Sequence, residues 1–343
     1  MAISNDILSS TLRILKDQEV DNLFKAVPLL DQIRAAGGVE TYDGGQKLDR
    51  PLILSEHSTI TQLSSGYEPV SLSAADVLRT ATFNWCDAVA PIIITKKEEL
   101  SNKGERAIIS IAEARMKSVM GMLKREFERQ FVAGDSTILS DLLTLNGTNA
   151  SGVFAGTDAG FLETNTFGTQ NNTVGGLSKG AFLNDLQNQY ATIAGAGTNP
   201  VNDALTDIYI QAQTRTPDGS APNLILTSAA LYKAYKDELY TQQRFIDEAV
   251  LDGGKLALAF NGARMFVDPF MGSALTSDGT NDINAYVLNT NFMKMVFDTD
   301  GNFEMTDFVD ATGYASRYAY ITVRTQLAFD HLASQGIVDG LSN

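Results

Sequence analysis

Cysteine, histidine and tryptophan are scarce in this sequence, which contains one Cys, two His and one Trp. A single cysteine, Cys86, excludes an internal disulfide. The two histidines, His57 and His331, lie far apart in the chain, and neither has a second His or Cys nearby to complete a set of zinc ligands. We therefore interpret both as ordinary surface or packing residues and expect no metal site.

Positive charge and long apolar runs are also lacking. The chain has 26 Lys and Arg against 41 Asp and Glu, which gives a net charge of -15. This sign disfavours a surface that grips phosphate backbones, but it suits a protein that encloses nucleic acid without adhering to it. No apolar run is long enough for a membrane helix, and residues 1–10 do not resemble a secretion signal. We expect a protein that folds in a reducing cytoplasm and has no membrane partner.

One nucleophile motif is present, a G-x-S-x-G pattern at Gly176, Ser178 and Gly180. In hydrolases this motif requires a buried strand directly before the serine. Residues 169–173 are polar and do not form such a strand, so we interpret Ser178 as the N-cap of a helix. A serine hydrolase that uses Ser178 with His331 remains the alternative from another class of protein.

Two further patterns do not match known binding motifs. Oxygen-bearing side chains recur near the end of the chain, at Asp298, Asp300, Asn302 and Glu304. Their order is not that of a calcium loop, and an Asp-Gly turn between two strands explains them. The glycines before Lys255 lack the other residues of a phosphate-binding loop. The sequence therefore predicts no catalytic residue, no cofactor and no metal, and so no enzyme.

The first half of the chain combines helical and extended patterns. Residues 5–33 predict one or two amphipathic helices with a bend at Pro28. Residues 39–94 alternate apolar and polar stretches around turn glycines, which predicts a long β-hairpin. Apolar side chains then recur at helical spacing over residues 105–131. A helix of about 28 residues would be roughly 40 Å long, which suits a large framework.

The second half alternates short apolar strands with helices. Strands are predicted at residues 223–227, 264–267, 285–288, 293–297 and 319–329, and helices after Ser178, over 228–239 and over 245–251. After the last strand only a short tail is expected. The mixture is typical of the α+β class, which is the fold class we expect.

The order of these elements resembles the HK97-type capsid subunit of tailed bacteriophages over essentially the whole chain. The residues that carry the resemblance fall in short segments: Phe83-Asn84-Trp85 with residues 90–94, residues 222–228 with Tyr232 and Tyr235, residues 243–245, residues 266–271 and residues 286–290. The first segment is similar to the return strand of that family's extended loop. The other segments are similar to its axial-domain strands and helix.

The resemblance implies a division of the chain into four parts. Residues 1–37 would form the N-arm and residues 38–94 the extended loop. A peripheral domain with the long spine helix would take residues 95–145 and 307–343. The axial domain would comprise residues 146–306. An arm and a hairpin without cores of their own are costly to order alone, so we expect both to bury surface on neighbouring subunits.

The function implied is that of a major capsid protein. Such a chain assembles with itself into pentamers and hexamers, and these form an icosahedral shell around double-stranded DNA that is not bound by sequence. Its partners would be a separate scaffolding protein, a portal and, in some relatives, decoration proteins. The location implied is the virion capsid, after assembly in the host cytoplasm. An encapsulin-like shell that stores an enzyme is the nearest alternative, since it resembles the same fold.

Five residues are our candidates for contacts between subunits. The aromatic side chains of Tyr67, Phe83 and Trp85 would anchor the hairpin region, because aromatic residues often dominate interfaces. Arg125 and Arg129 on the long helix would form ion pairs between subunits. Some members of the family crosslink their subunits through a lysine, but no motif identifies a partner for Lys47 in the hairpin, so we expect noncovalent contacts.

Overall fold

The computed structural model describes residues 28–54, 66, 77–101, 111–133, 173–178, 186–193, 199–242, 248–250, 256–271 and 283–341. Helices and strands are mixed along these ranges, which confirms the predicted α+β class. None of the helices in these ranges is both long and apolar enough to cross a membrane.

The helices and strands have the following bounds. The α-helices of the described residues are α1 (Pro28–Ala35), α2 (Lys96–Ser101), α3 (Ile111–Ala133), α4 (Pro200–Arg215) and α5 (Ala229–Gln242). The strands are β1 (Val39–Tyr42), β2 (Lys47–Ile53), β3 (Leu78–Asn84), β4 (Cys86–Thr95), β5 (Thr173–Val174), β6 (Leu177–Ser178), β7 (Gln189–Thr192), β8 (Leu224–Thr227), β9 (Glu248–Val250), β10 (Leu256–Phe260), β11 (Ala263–Val267), β12 (Ile283–Leu288), β13 (Met293–Asp298), β14 (Glu304–Met305), β15 (Val309–Asp310), β16 (Ser316–Phe329) and β17 (Gly336–Asp339).

The first sheet has six strands and is built around β16. β4 pairs antiparallel with one edge of β16 over the whole length of β4. β13, β14 and β15 pair antiparallel with the other edge, and β1 adds in parallel to β13. Because successive side chains of a strand point to opposite faces, β16 buries Ala319, Ile321 and Val323 on one face. The residues between them face the other side.

The second sheet has seven strands in the order β7-β17-β12-β8-β11-β10-β9. Its central strands β8 and β12 are buried at every position, as expected for strands that are covered on both faces. Ile225 and Val287 pack in the core that includes α4 and α5. Leu226 and Tyr286 pack on the opposite face, in the core that includes α3. The sheet therefore lies between the helix pair and α3.

Two hairpins lie beside the first sheet. β2 pairs antiparallel with β3 from Lys47 opposite Asn84 to Ile53 opposite Leu78. This confirms a hairpin within the predicted range of 39–94, but β1 and β4 at the two ends of that range belong to the first sheet. Residues 55–65 and 67–76 lie outside the described residues. The shorter hairpin β5–β6 contacts β3, since the N–H of Thr82 donates to the carbonyl of Gly175 at 2.9 Å.

Two of the local predictions are wrong. Ser178 does not cap a helix; it lies in β6, opposite Thr173, and residues 189–192, which the prediction placed in the same helix, form strand β7. The reason is the turn at Gly175 and Gly176, where φ is 55° and 80°. Two consecutive positive φ values fit the tight hairpin turn that glycines favour. The helix predicted over residues 245–251 is also wrong, because residues 248–250 form β9 and pair with β10.

The long helix is confirmed where it is described. α3 runs from Ile111 to Ala133, whereas the pattern predicted residues 105–131, and residues 102–110 lie outside the described residues. Leu123, Phe127 and Phe131 on one side of α3 are buried, as their spacing predicts. The structure adds α4 and β17, which the sequence reasoning did not predict.

Candidate assembly interface

The exposed side of the first sheet carries apolar side chains, and we call it the outer face. It is formed by Val89, Pro91, Ile93, Val309 and Tyr320. Val89 is 55% exposed, Ile93 51% and Val309 54%. Directly paired residues share a face of a sheet, and Pro91 lies opposite Tyr320 in the pairing of β4 with β16. The five side chains therefore form one continuous surface.

The tyrosines of β16 extend the outer face. Tyr318 lies between Ile93 of β4 and Val309 of β15, and its ring centroid is 5.1 Å from that of Tyr320. Contiguous apolar surface of this kind is typical of sites that bind another protein. The outer face can therefore bury area against a neighbour without any rearrangement of the sheet.

Arg324 joins the first sheet to the loop that leads into the β2–β3 hairpin. Its guanidinium lies 3.1 Å from Asp298 Oδ2 and donates to the carbonyl of Gly45 at 3.1 Å. It also lies 3.4 Å from Asp87 Oδ1 and 5.1 Å from the ring centroid of Trp85. Asp298 is buried, and Arg324 pairs with it there.

A second arginine holds the hairpin itself. Arg50 of β2 pairs with Glu40 of β1 and lies 3.5 Å from Asp330, just after β16. The same guanidinium lies over the ring of Tyr42 at 5.7 Å. The hairpin is therefore held to the first sheet by the ion pairs of Arg50, and the loop before it by the hydrogen bond from Arg324 to Gly45.

The residues predicted to contact other subunits are found in three situations. Phe83 and Trp85 are buried within the chain, 4% and 7% exposed. Arg129 pairs with Glu126 of the same helix at 2.6 Å, and Arg125 lies on α3 with them. Tyr67 lies outside the described residues. Contacts of these residues with a second subunit therefore stay a prediction.

The packing of α1 on α3 depends on a buried carboxyl group. Glu128 of α3 is fully buried, and its two oxygens accept hydrogen bonds from the N–H groups of Leu29 at 2.7 Å and Leu30 at 3.1 Å. Burial raises the pKa of Glu128 well above its usual range, and the neighbouring charge of Asp268 raises it further. Burial likewise raises the pKa of Asp268 to about 6. Buried carboxyl groups next to each other resist losing both of their protons.

Sequence reasoning missed Glu128 and Asp268. A usable signal was present for Glu128, because it lies next to Phe127 and three residues before Phe131 on the apolar side of the helix. A glutamate at such a position must be exposed, paired or protonated. Asp268 gives no comparable signal, because its burial depends on a contact between segments that are 140 residues apart, Glu128 being the partner.

The alternative hydrolase pair is not brought together by the contacts that the structure describes. Ser178 is exposed in the β5–β6 hairpin. His331 packs against Phe292, with ring centroids 5.5 Å apart, and its Nδ1 accepts a hydrogen bond from the N–H of Ser334 at 3.2 Å. Burial lowers the pKa of His331. Both residues have structural surroundings that explain them.

The acidic residues near β14 also have structural partners. Asp298 pairs with Arg324, and its Oδ1 accepts a hydrogen bond from the N–H of Asp300 at 3.2 Å within the turn. Across the described ranges, no group of three or more His, Cys, Asp or Glu side chains is arranged to hold a metal ion.

Comparison with known proteins gives a result at the level of the fold. No protein-family model matches the sequence, and no curated protein matches it. Among solved structures, the chain is similar to the capsid of an empty GTA particle, with a TM-score of 0.62, 10% identity and 96% of each chain covered. It is also similar to the capsid of cyanophage A-1(L), with a TM-score of 0.55, 14% identity, and 96% of this chain and 98% of that chain covered.

A shell protein of another kind has a similar score. The SrpI encapsulin from Synechococcus elongatus PCC 7942 gives a TM-score of 0.57 at 9% identity, with 97% of this chain and 95% of that chain covered. The chain therefore has the fold that the resemblance predicted, that of HK97-type shell proteins. At these identities the likeness establishes the fold, and function needs a separate argument.

Proposed function

We propose that this protein is the major capsid protein of a tailed bacteriophage and that it assembles with itself into the shell around double-stranded DNA. The observation that carries the proposal is the agreement in fold with phage and GTA capsids over 96% or more of this chain. The match extends over nearly the whole of both chains.

The described surface supports assembly. The outer face presents a continuous apolar surface on rigid strands, which suits a permanent contact more than a transient one. The end of the β2–β3 hairpin that the structure describes also exposes apolar side chains, with Ile53 74% and Leu78 58% exposed. A hairpin has too little core to be stable by itself. Burial of both surfaces on neighbouring copies would stabilise them.

The proposal includes the division of the chain into four parts, and the strand pairing shows how these parts are linked. We propose residues 1–37 as the N-arm, 38–94 as the extended loop, 95–145 and 307–343 as the peripheral domain, and 146–306 as the axial domain. The sheets link these parts, because β13 pairs with β16 in the first sheet and β17 pairs with β12 in the second. The last strands therefore couple the two proposed domains within one subunit.

The acidic composition agrees with an enclosing role. A net charge of -15 gives repulsion from phosphate groups, so packaged DNA would remain free of the wall. Pentamers and hexamers, a separate scaffolding protein and a portal belong to this proposal. Decoration proteins remain optional partners in it.

Sedimentation of the expressed protein, followed by nuclease treatment of the particles, tests the function. The protein is to be produced together with the genes that neighbour its own. Large particles that hold nuclease-protected double-stranded DNA would support the phage capsid. Particles of similar size that hold a protein cargo and no DNA would instead assign the chain to encapsulin-like shells. A chain that forms no large particle would contradict both.

A further inference from the structure

In the contact between α1 and α3, a buried carboxyl group of α3 accepts hydrogen bonds from the first turn of α1. α1 begins at Pro28, and the first N–H groups of a helix have no partner within the helix. Here the N–H groups of Leu29 and Leu30 are satisfied by Glu128, a side chain 99 and 98 residues away in sequence. Leu29 and Ile33 of α1 are fully buried around this contact. The attachment of α1 therefore depends on one carboxyl group that has no access to solvent.

A second carboxyl group, that of Asp268, interacts with the first. Asp268 is 1% exposed, and its Oδ1 accepts a hydrogen bond from the N–H of Phe270 at 2.7 Å. Its other oxygen, Oδ2, is buried and receives no donor in the described hydrogen bonds. A proton on Glu128 supplies the missing donor. Without that proton, two negative charges face each other in a site that excludes water.

Among the described residues, Asp268 is the only charged group that interacts with Glu128. On α3 itself, Glu126 and Arg129 pair with each other at 2.6 Å. On α1, Asp31 is exposed. No Lys, Arg or His of the described residues neutralises the two carboxyl groups. A proton on one of them is therefore needed to reduce the repulsion between them.

We propose that Glu128 and Asp268 form a proton-dependent latch that holds α1, and with it the start of β1, against α3. With a proton shared between the two carboxyl groups, α1 is docked and its first N–H groups are satisfied. With both groups ionised, repulsion between the carboxylates loosens the contact and α1 detaches. The latch would act on the arm that precedes β1, whatever the chain assembles into, so it does not rest on the proposed function.

The direction of the pH dependence follows from the pKa values. Both pKa values are raised in the docked state, that of Asp268 to about 6 and that of Glu128 well above its usual range. When α1 detaches, the carboxyl groups regain water and return towards ordinary values near about 4. The docked state thus holds protons that the detached state releases. Docking is strongest below about pH 4 and weakens as the pH rises from there to the pKa values of the docked state, by up to about tenfold per pH unit for each proton released.

Hydrogen exchange of the backbone amides tests the latch. The protein is exchanged between pH 5 and pH 8, and the rates for α1 are divided by those of an unstructured peptide at the same pH. We expect the protection of α1 to fall severalfold as the pH rises. α4 is the internal control, because Glu238 accepts hydrogen bonds from its first N–H groups at 3.0 Å but is only partly buried. The protection of α4 should stay constant.

Three variants separate the latch from a general loss of stability. Asp268→Asn removes the second charge and keeps the size, so the part of the fall that comes from Asp268 should disappear, while the burial of Glu128 keeps a weaker pH dependence. Glu128→Gln should abolish the pH dependence while lowering the protection of α1 at every pH, because one oxygen acceptor is lost. Glu126→Gln, on the same helix, is the matched control and should behave as the unaltered protein does. A flat profile for α1 in the unaltered protein, or the same profile in Asp268→Asn, would overturn the proposal.

Discussion

Arg324 shows how much one side chain contributes to this subunit. It pairs with the buried Asp298, donates to Gly45 in the loop before the hairpin and lies over the ring of Trp85. Arg317 lies on the same strand but pairs at the surface with Asp310 and Glu99. Exposed ion pairs contribute little to stability, whereas a buried carboxylate that loses its cation is left with its full desolvation cost. The two arginines should therefore differ in effect.

Arg324→Ala should lower the free energy of unfolding by about 1–3 kcal/mol, since the charge of Asp298 would remain buried. Arg317→Ala should change it by less than about 0.5 kcal/mol. Urea unfolding of both variants measures the difference. Equal effects of the two substitutions would show that Arg324 does not hold the hairpin base in place.

A second effect at the residue scale concerns Gly336 in β17. A Cβ atom at this position would lie 2.4 Å from Cγ2 of Ile208 in α4. The glycine thus allows α4 to pack directly on the second sheet.

Gly336→Ala should destabilise the protein by about 1–3 kcal/mol through overpacking. Ile208→Ala alone should also destabilise it, because it leaves a cavity. In the double variant the lost methyl group makes room for the new one, so the combined effect should be smaller than the sum. Thermal unfolding of the four proteins measures this coupling, and a simple sum would rule out the contact.

At the scale of the elements, the sequence predicted those helices and strands that are determined by the side-chain pattern of their own segment. The β-branched and aromatic residues of 319–329 predicted β16, and the apolar spacing of 105–131 predicted α3. The turn at Gly175 and Gly176 was missed because its effect on Ser178 depends on the φ values of both glycines. The helix predicted over 245–251 failed because pairing with β10 overrides local propensity.

The surfaces of the candidate interface could not be predicted from the sequence. Alternation in β4 shows that Val89 and Ile93 share a face, but only the register with β16 places Tyr318 and Tyr320 beside them. Phe83 lies in β3 and Trp85 directly after it. The sequence alone does not distinguish an aromatic side chain that is buried in its own subunit from one that is buried on a neighbouring subunit. Long-range pairing decides both questions.

The outer face gives a prediction for assembly. Val89→Lys should leave the stability of the subunit within about 0.5 kcal/mol, since the side chain is exposed. It should prevent assembly, because an unpaired ammonium group would have to be buried at the contact. Sedimentation velocity measures the loss of large particles. Val89→Thr keeps the shape without the charge and should assemble, and normal assembly of Val89→Lys would remove the outer face from the interface.

At the scale of the whole molecule, the proposed function implies that the chain buries further apolar surface when it assembles. Its two sheets have well-packed cores, yet the outer face and the hairpin end expose apolar residues such as Ile93 and Ile53. The similarity in fold to shell proteins over nearly the whole chain gives these surfaces a common explanation. Under the proposed function, both surfaces are buried by copies of the same chain.

Electron cryomicroscopy of the particles that the purified protein forms tests this prediction most directly. We expect closed shells or tubes of pentamers and hexamers in which the outer face, including Val89 and Tyr320, is covered by a neighbouring subunit. A protein that stays monomeric or dimeric at every concentration, or particles in which the outer face remains open to solvent, would contradict it.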